Sequence, residues 1–195
     1  MAKPAPIYDH NHAVQFYGDD ESLCTTVAGF LGQGFVDGNP GIVIATSEHR
    51  DTILAYLRGR LIDVEKALQV GSLIVLDAQK TLDLFMDGDE PDEVLFENSI
   101  GKLISTVLDG RDEPILVRAY GEMVDLLWKQ GRSEGAIRLE ILWNQLAQRY
   151  GFALLCGYSM GNFDRETKGF EDICREHTHV IAPLAEPPVR RRRVN

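Results

Sequence analysis

Short, mostly apolar runs alternate along the chain with longer stretches whose apolar residues recur every three or four positions. The runs fall at residues 12–17, 42–45, 73–76, 115–120 and 152–156. Continuous rather than alternating hydrophobicity is the pattern of strands buried on both faces. Between them, Leu23, Val27, Phe30 and Leu31 keep helical spacing, as do Phe96, Ile100, Leu103, Ile104 and Val107, and then Ile137, Ile141, Leu142 and Leu146. These stripes predict helices after residue 22, over 48–57, from residue 92 onward, from 123 to near Gly131, over 134–150, and finally over about 165–178. Asp19, Asp20 or Ser22 could cap the first of them, Thr46 or Ser47 the second and Ser133 the long one. Gly38-Asn39-Pro40-Gly41, Gly71 and the acidic stretch 87–91 read as turns or loops. Strand and helix in alternation predict an α/β domain built on a mostly parallel sheet with helices on both faces.

Composition narrows the function. At 195 residues and 44% hydrophobic content the chain is the size of one domain with a real core. The formal net charge of -10, from 30 acidic against 20 basic residues, argues against broad contact with nucleic-acid phosphates or anionic lipid. Arg190 to Arg193 are the exception, and residues 184–195 read as a solvated basic tail that could also dock on an acidic partner or on RNA. No apolar run approaches the roughly 20 residues that span a bilayer, and the opening residues lack the apolar centre of a secretory signal. A cytoplasmic protein with no membrane partner is the expectation. Cys24, Cys156 and Cys174 are too few and scattered for a disulfide framework and read as thiols.

Six stretches carry a family resemblance: HAVQFYGDDESL at 12–23, IVIATSEHRDTIL at 42–54, GSLIVLDAQKTL at 71–82, VRAYGEMVDLLWKQG at 117–131, LEILWNQL at 139–146 and FALLCGY at 152–158. CREHTHVIAP at 174–183 resembles the usual end of such domains. In this order and spacing they resemble the MEDS family, the sensory domain named from methanogens, methylotrophs and the dichloromethane-responsive regulator DcmR. The resemblance implies a RecA-like, KaiC-like fold over residues 12–183 after an N-terminal extension of residues 1–11. It also implies a small-molecule ligand, hydrocarbon derivatives being the class proposed for the family, and signalling through a histidine kinase or a transcription regulator. With no room for an output domain in 195 residues, the signal is expected to pass to another protein.

A nucleotide-hydrolysing relative of that fold needs a P-loop between the first strand and helix, where backbone N–H groups, a Lys and a hydroxyl hold phosphate and Mg²⁺. Here the position reads Tyr17-Gly18-Asp19-Asp20-Glu21-Ser22, and three carboxylates would meet the phosphates with like charge. The expectation is a degenerate Walker A, no enzyme activity and no cofactor; residual nucleotide binding and a pure protein-interaction module are the alternatives. In doubly wound sheets ligands bind beyond the carboxyl ends of the strands. The strand assignments put Phe16, Tyr17, Thr46, His49, Asp77, Arg118, Tyr120, Glu122, Cys156 and Tyr158 there, rings with a few polar groups that suit a small, partly apolar ligand.

Arg118 and Glu122 are read as a structural ion pair, or as a pair that orients the ligand. Cys174 and His177 are three apart on the last expected helix, half of a zinc site that Cys156 and His179 could complete. Two near and two distant ligands are a common accident of sequence, His10 and His12 add little, and no metal is expected. Trp128 and Trp143 are read as core or subunit-contact residues, the latter if the domain forms a homodimer. Lack of a helix-turn-helix pattern, with the acidic body, argues against direct nucleic-acid binding.

Overall fold

A computed structural model describes residues 12–109, 115–163 and 167–181. The N-terminal extension with His10, Pro114, the basic tail and Pro183 lie outside the described residues. β1 (His12–Tyr17) enters α1 (Asp20–Val36) through Asp19, whose carboxylate accepts the Ser22 N–H at 2.7 Å and caps the helix. Next come β2 (Gly41–Ala45), α2 (Ser47–Gly59), α3 (Val64–Gln69), β3 (Leu73–Asp77) and α4 (Ala78–Leu82). Two-residue strands β4 (Met86–Asp87) and β5 (Glu90–Pro91) form a hairpin where a loop is expected from the sequence. α5 (Glu93–Phe96) continues through a π-helical turn (Glu97–Gly101) into α6 (Lys102–Leu108), so the stripe from Phe96 to Val107 is one helical run with a widened turn. β6 (Arg118–Gly121), α7 (Met123–Lys129), α8 (Ser133–Tyr150), β7 (Ala153–Ser159), a 3₁₀ turn (Met160–Asn162), α9 (Thr167–Glu176) and β8 (His179–Ile181) complete the chain.

The main sheet has the order β3-β2-β6-β7-β1-β8, and every pairing in it is parallel. Alternation along the strands divides the core in two. Val14, Phe16, Ile42, Ile44, Leu154, Cys156 and Tyr158 face one side, packed with residues of α4 to α9 such as Phe96, Ile104, Leu139 and Trp143. Ala13, Tyr17, Val43, Ala45, Tyr120 and Leu155 face the other, under α1, α2 and α3. Each large side chain shielded in this way contributes about 1.5–3 kcal/mol. Trp128 and Trp143 are both buried in the first of these cores, as the core reading of the tryptophans expects.

Several boundaries move. The fourth strand starts at Arg118, because Asn39 Oδ1 takes the Leu116 N–H at 2.9 Å and holds the chain off the sheet before it. The fifth runs on to Ser159. Arg132, not Ser133, precedes α8, and Thr46 stands at the cap of α2 without a side-chain bond. The last helix stops at Glu176, where the Thr178 N–H and hydroxyl both bond to His12 O, at 2.8 and 2.9 Å, and turn the chain into the edge strand β8. No helix among the described residues is long and apolar enough to cross a membrane.

The Arg118–Glu122 pair is not formed. Arg118 pairs in register with Gly41 and Ala153 at the amino-terminal edge of the sheet, whereas Glu122 follows the carboxyl end of the same strand. A strand rises about 3.3 Å per residue, which separates their backbones by roughly 13 Å. Arg118 instead lies beneath α1, donating from Nη1 to Phe30 O at 3.0 Å, with Nη2 3.8 Å from Asp37 and the guanidinium over the Phe30 ring.

Candidate functional site

At the carboxyl edge, β1, β6 and β7, with the helix starts that follow β1, β2 and β6, deliver polar groups to one place. His49, on the first turn of α2, directs Nδ1 to Glu122 Oε2 at 2.8 Å and Nε2 to Asp20 Oδ1 at 3.3 Å. The Tyr120 hydroxyl donates to the same Glu122 oxygen at 3.3 Å. Beside them the Tyr17 hydroxyl donates to Asp125 Oδ2 at 3.1 Å, Lys129 Nζ lies 2.7 Å from that oxygen, and the Ser159 N–H donates to Asp125 Oδ1 at 3.0 Å. Glu122 and Asp125 are buried, while Asp20 is exposed. The hydrogen bond to Glu122 raises the His49 pKa above its ordinary value against the opposing effect of burial, and Asp20 adds to the rise. Burial, with Asp125 and Glu122 beside it, raises that of Tyr17.

Of the ten residues expected here, Tyr17, His49, Tyr120 and Glu122 are in mutual contact or share partners. Thr46 follows β2 at the same edge, and Asp77 ends β3 there, capping α4 through the Lys80 N–H at 3.0 Å and pairing with Arg50 at 2.9 Å. The Lys80 backbone bond and the Arg50 charge hold the Asp77 carboxyl below its usual range. Phe16 and Tyr158 belong to the opposite face of the sheet, in an aromatic group with Trp128, Phe163 and Phe170. Arg118 is at the far edge, as described. Cys156 is not at a strand end at all: β7 continues three residues past it, and it pairs with Val14 and Gly121 inside the sheet. Asp125 was missed by the sequence reading, although α7 is buried nearly all round and an acid within it must find partners.

Cys156 leads to a second polar cluster on the face covered by α8 and α9. His12, Glu140, Cys156 and His177 are all buried there, and one ligand-type atom from each lies within 4.8 Å of the others. Glu140 Oε2 is 3.1 Å from His12 Nε2 and 3.4 Å from Cys156 Sγ, and Oε1 accepts from the Tyr158 hydroxyl at 2.9 Å and lies 3.4 Å from His177 Nε2. Burial pushes the Glu140 carboxyl up, but His177, His12 and Tyr158 more than offset it and leave it at about 2. Burial takes His177 down to about 4, so near neutrality it faces Glu140 as an uncharged imidazole. Burial and then Glu140 raise the Cys156 thiol well above its ordinary value. Of the residues considered for a metal from sequence, Cys156, His177 and the discounted His12 are in this cluster; Cys174 is half-buried elsewhere on α9 and His179 is exposed on β8. Glu140 is the member not considered from sequence. Glu140 had a readable signal: it falls on the buried stripe Ala136, Glu140, Trp143 of α8.

A fully parallel central sheet between two helical layers, with its polar side chains gathered past the strand termini, defines an α/β domain of the RecA-like class. The sequence profile described as MEthanogen/methylotroph, DcmR Sensory domain matches residues 11–178, and the chain belongs to this MEDS family of sensory domains. Its fold is similar to that of the KaiC-like protein PH0186 from the hyperthermophilic archaeon Pyrococcus horikoshii OT3, with a TM-score of 0.61 at 15% identity over 93% of this chain and 74% of the other. No curated protein matches the chain.

Proposed function

We propose that this domain senses a small molecule at the carboxyl edge of the sheet and passes the signal to a partner protein, a histidine kinase or a transcription regulator, without hydrolysing nucleotide. The observation that carries this reading is the loop after β1. Where a phosphate cradle would need free N–H groups and a cation, Asp19 has taken the Ser22 N–H and Asp20 extends toward His49. A polyphosphate approaching that loop meets carboxylates.

The partners of Glu122 and Asp125 suggest how a ligand would be read out. These two acids at the start of α7 hold α2 through His49, β1 through Tyr17 and β7 through the Ser159 N–H. A ligand that competes for one of those bonds changes the relative energies of two settings of α2 and α7, and a partner that binds one setting better detects it. The acids supply acceptors for a donor group, and Tyr17 and Tyr120, buried beside them, would meet an apolar body only in a setting where α2 and α7 move apart, which fits an oxygenated or otherwise substituted short hydrocarbon.

Thermal unfolding of the purified chain with Mg-ATP, with Mg-ADP and with a panel of short alcohols, amines and haloalkanes tests the reading, together with a phosphate-release assay. Stabilisation by a panel member that is lost in Tyr17→Phe, with no response to nucleotide, is expected. Metal-dependent release of phosphate from ATP that disappears in Glu122→Gln would overturn it.

A further inference from the structure

The buried cluster behind β1 and β7 plays no part in the reading above, and its proton inventory does not close. Asn144 Nδ2 donates to Glu176 O at 2.9 Å, which turns Asn144 Oδ1 toward His12 Nδ1 at 2.8 Å, so Nδ1 carries a hydrogen. His177 Nδ1 likewise donates to Ile173 O at 2.7 Å. Each imidazole is therefore held with Nε2 pointing into the cluster, the arrangement in which a metal-bound histidine is fixed by a hydrogen bond at its other nitrogen.

What Nε2 meets there is a carboxylate and a sulfur. The Tyr158 hydroxyl supplies one proton, to Glu140 Oε1, and the Cys156 thiol has a single proton for either Glu140 Oε2 or His12 Nε2. A further proton on His12 would satisfy Glu140 Oε2. Even then His177 Nε2, on a side chain with 0% exposure, has no hydrogen-bond partner and looks across 3.4 Å at an oxygen lone pair. An unpaired buried acceptor of this kind is costly.

We propose that His12, Glu140, Cys156 and His177 form a tetrahedral site for a divalent transition-metal ion, with Zn²⁺ the ion it fits. Bonds of about 2.0–2.1 Å to nitrogen and oxygen and about 2.3 Å to sulfur place the atoms of a tetrahedral one-sulfur set about 3.3–3.6 Å apart. His12 Nε2, Cys156 Sγ and Glu140 Oε2 are already near that spacing, at 3.1 Å (His12 to Glu140), 3.3 Å (His12 to Cys156) and 3.4 Å (Cys156 to Glu140); His177 Nε2 lies 3.4 Å from the other Glu140 oxygen, and the four residues each place a ligand atom within 4.8 Å of the others. Charge closes as well: a divalent ion with one thiolate, one carboxylate and two neutral imidazoles is neutral overall, which suits a site without water. Binding releases the Cys156 proton to solvent and changes no oxidation state. The four ligands come from β1, α8, β7 and the turn between α9 and β8, so the ion would tie the last helix and edge strand to the centre of the sheet and be taken up as α9 docks.

The full chain, stripped with chelator under reducing conditions and titrated with Co²⁺, tests this. One equivalent should bind with a thiolate-to-cobalt charge-transfer band that persists in Cys24→Ser and Cys174→Ser and is abolished in Cys156→Ser. Zinc-edge absorption fine structure of the unmutated protein reads the same site without any variant, and should show one sulfur at about 2.3 Å with three nitrogen or oxygen ligands at about 2.0–2.1 Å. Failure to bind an equivalent at micromolar free metal, a shell without sulfur or with two, or a band that depends on Cys174 would overturn the site. None of these outcomes bears on ligand sensing at the carboxyl edge.

Discussion

His49 lies between two acids, with Nδ1 2.8 Å from buried Glu122 and Nε2 3.3 Å from exposed Asp20. Both ring nitrogens face carboxylates, so the doubly protonated imidazolium is the form these neighbours favour, and the pKa stands above 6.5. The groups facing it are Glu122, Asp20 and the Tyr17 ring, whose centroid is 6.2 Å away. A folded-state pKa raised above the unfolded one contributes stability that is fully present below 6.5 and is lost as the pH climbs through the elevated value. Urea unfolding of the unmutated chain should therefore show falling stability over that window, a step missing from the profile of His49→Gln. At pH 6, His49→Ala should cost about 3 kcal/mol, because it leaves Glu122 buried with only the Tyr120 hydroxyl.

Gly34 passes so close to Arg118 that an added Cβ would stand 2.6 Å from its Cδ. Arg118 is held on its other sides by Phe30 and Asp37 and has little room to yield. Gly34→Ala should destabilise by about 1–3 kcal/mol in chemical denaturation. Gly18→Ala, where nothing lies within 4 Å, should have little effect and serves as the control.

Asp19 caps α1 through the Ser22 N–H and also accepts the Ser22 hydroxyl on its backbone oxygen at 2.9 Å. Asp19→Ala should cost about 1 kcal/mol, while Asp19→Asn should keep nearly all of the stability. A shift in the urea midpoint at constant slope is the expected signature.

Asn144 touches no proposed metal position, yet it fixes the tautomer of His12 and is itself fixed by Glu176. Asn144→Ala should weaken Co²⁺ binding about 10–100-fold with the charge-transfer band retained at saturation. Competition against a chromophoric chelator measures this.

The sheet was legible because strands covered on both faces leave continuous apolar runs, as Ile42 to Ala45 and Leu73 to Leu76 do. β8 was not legible: it is a three-residue edge strand with one sheet neighbour, and its short segment follows a helix whose sequence pattern does not mark its end. Arg118 went to the wrong edge for a related reason, since Ile115, Leu116 and Val117 are as apolar as a strand and only the Asn39 side chain shows where pairing begins.

Local sequence determined five of the six strands of the main sheet in their chain order, and the carboxylates that follow β1, because hydrophobic period and charge are properties of neighbouring residues. It could not determine that Asp125 meets Tyr17, or that His12 and Glu140 join Cys156 and His177, residues up to 165 positions apart in the chain. Such meetings depend on strand register and on which helix face turns inward, and only packing of the whole molecule sets these.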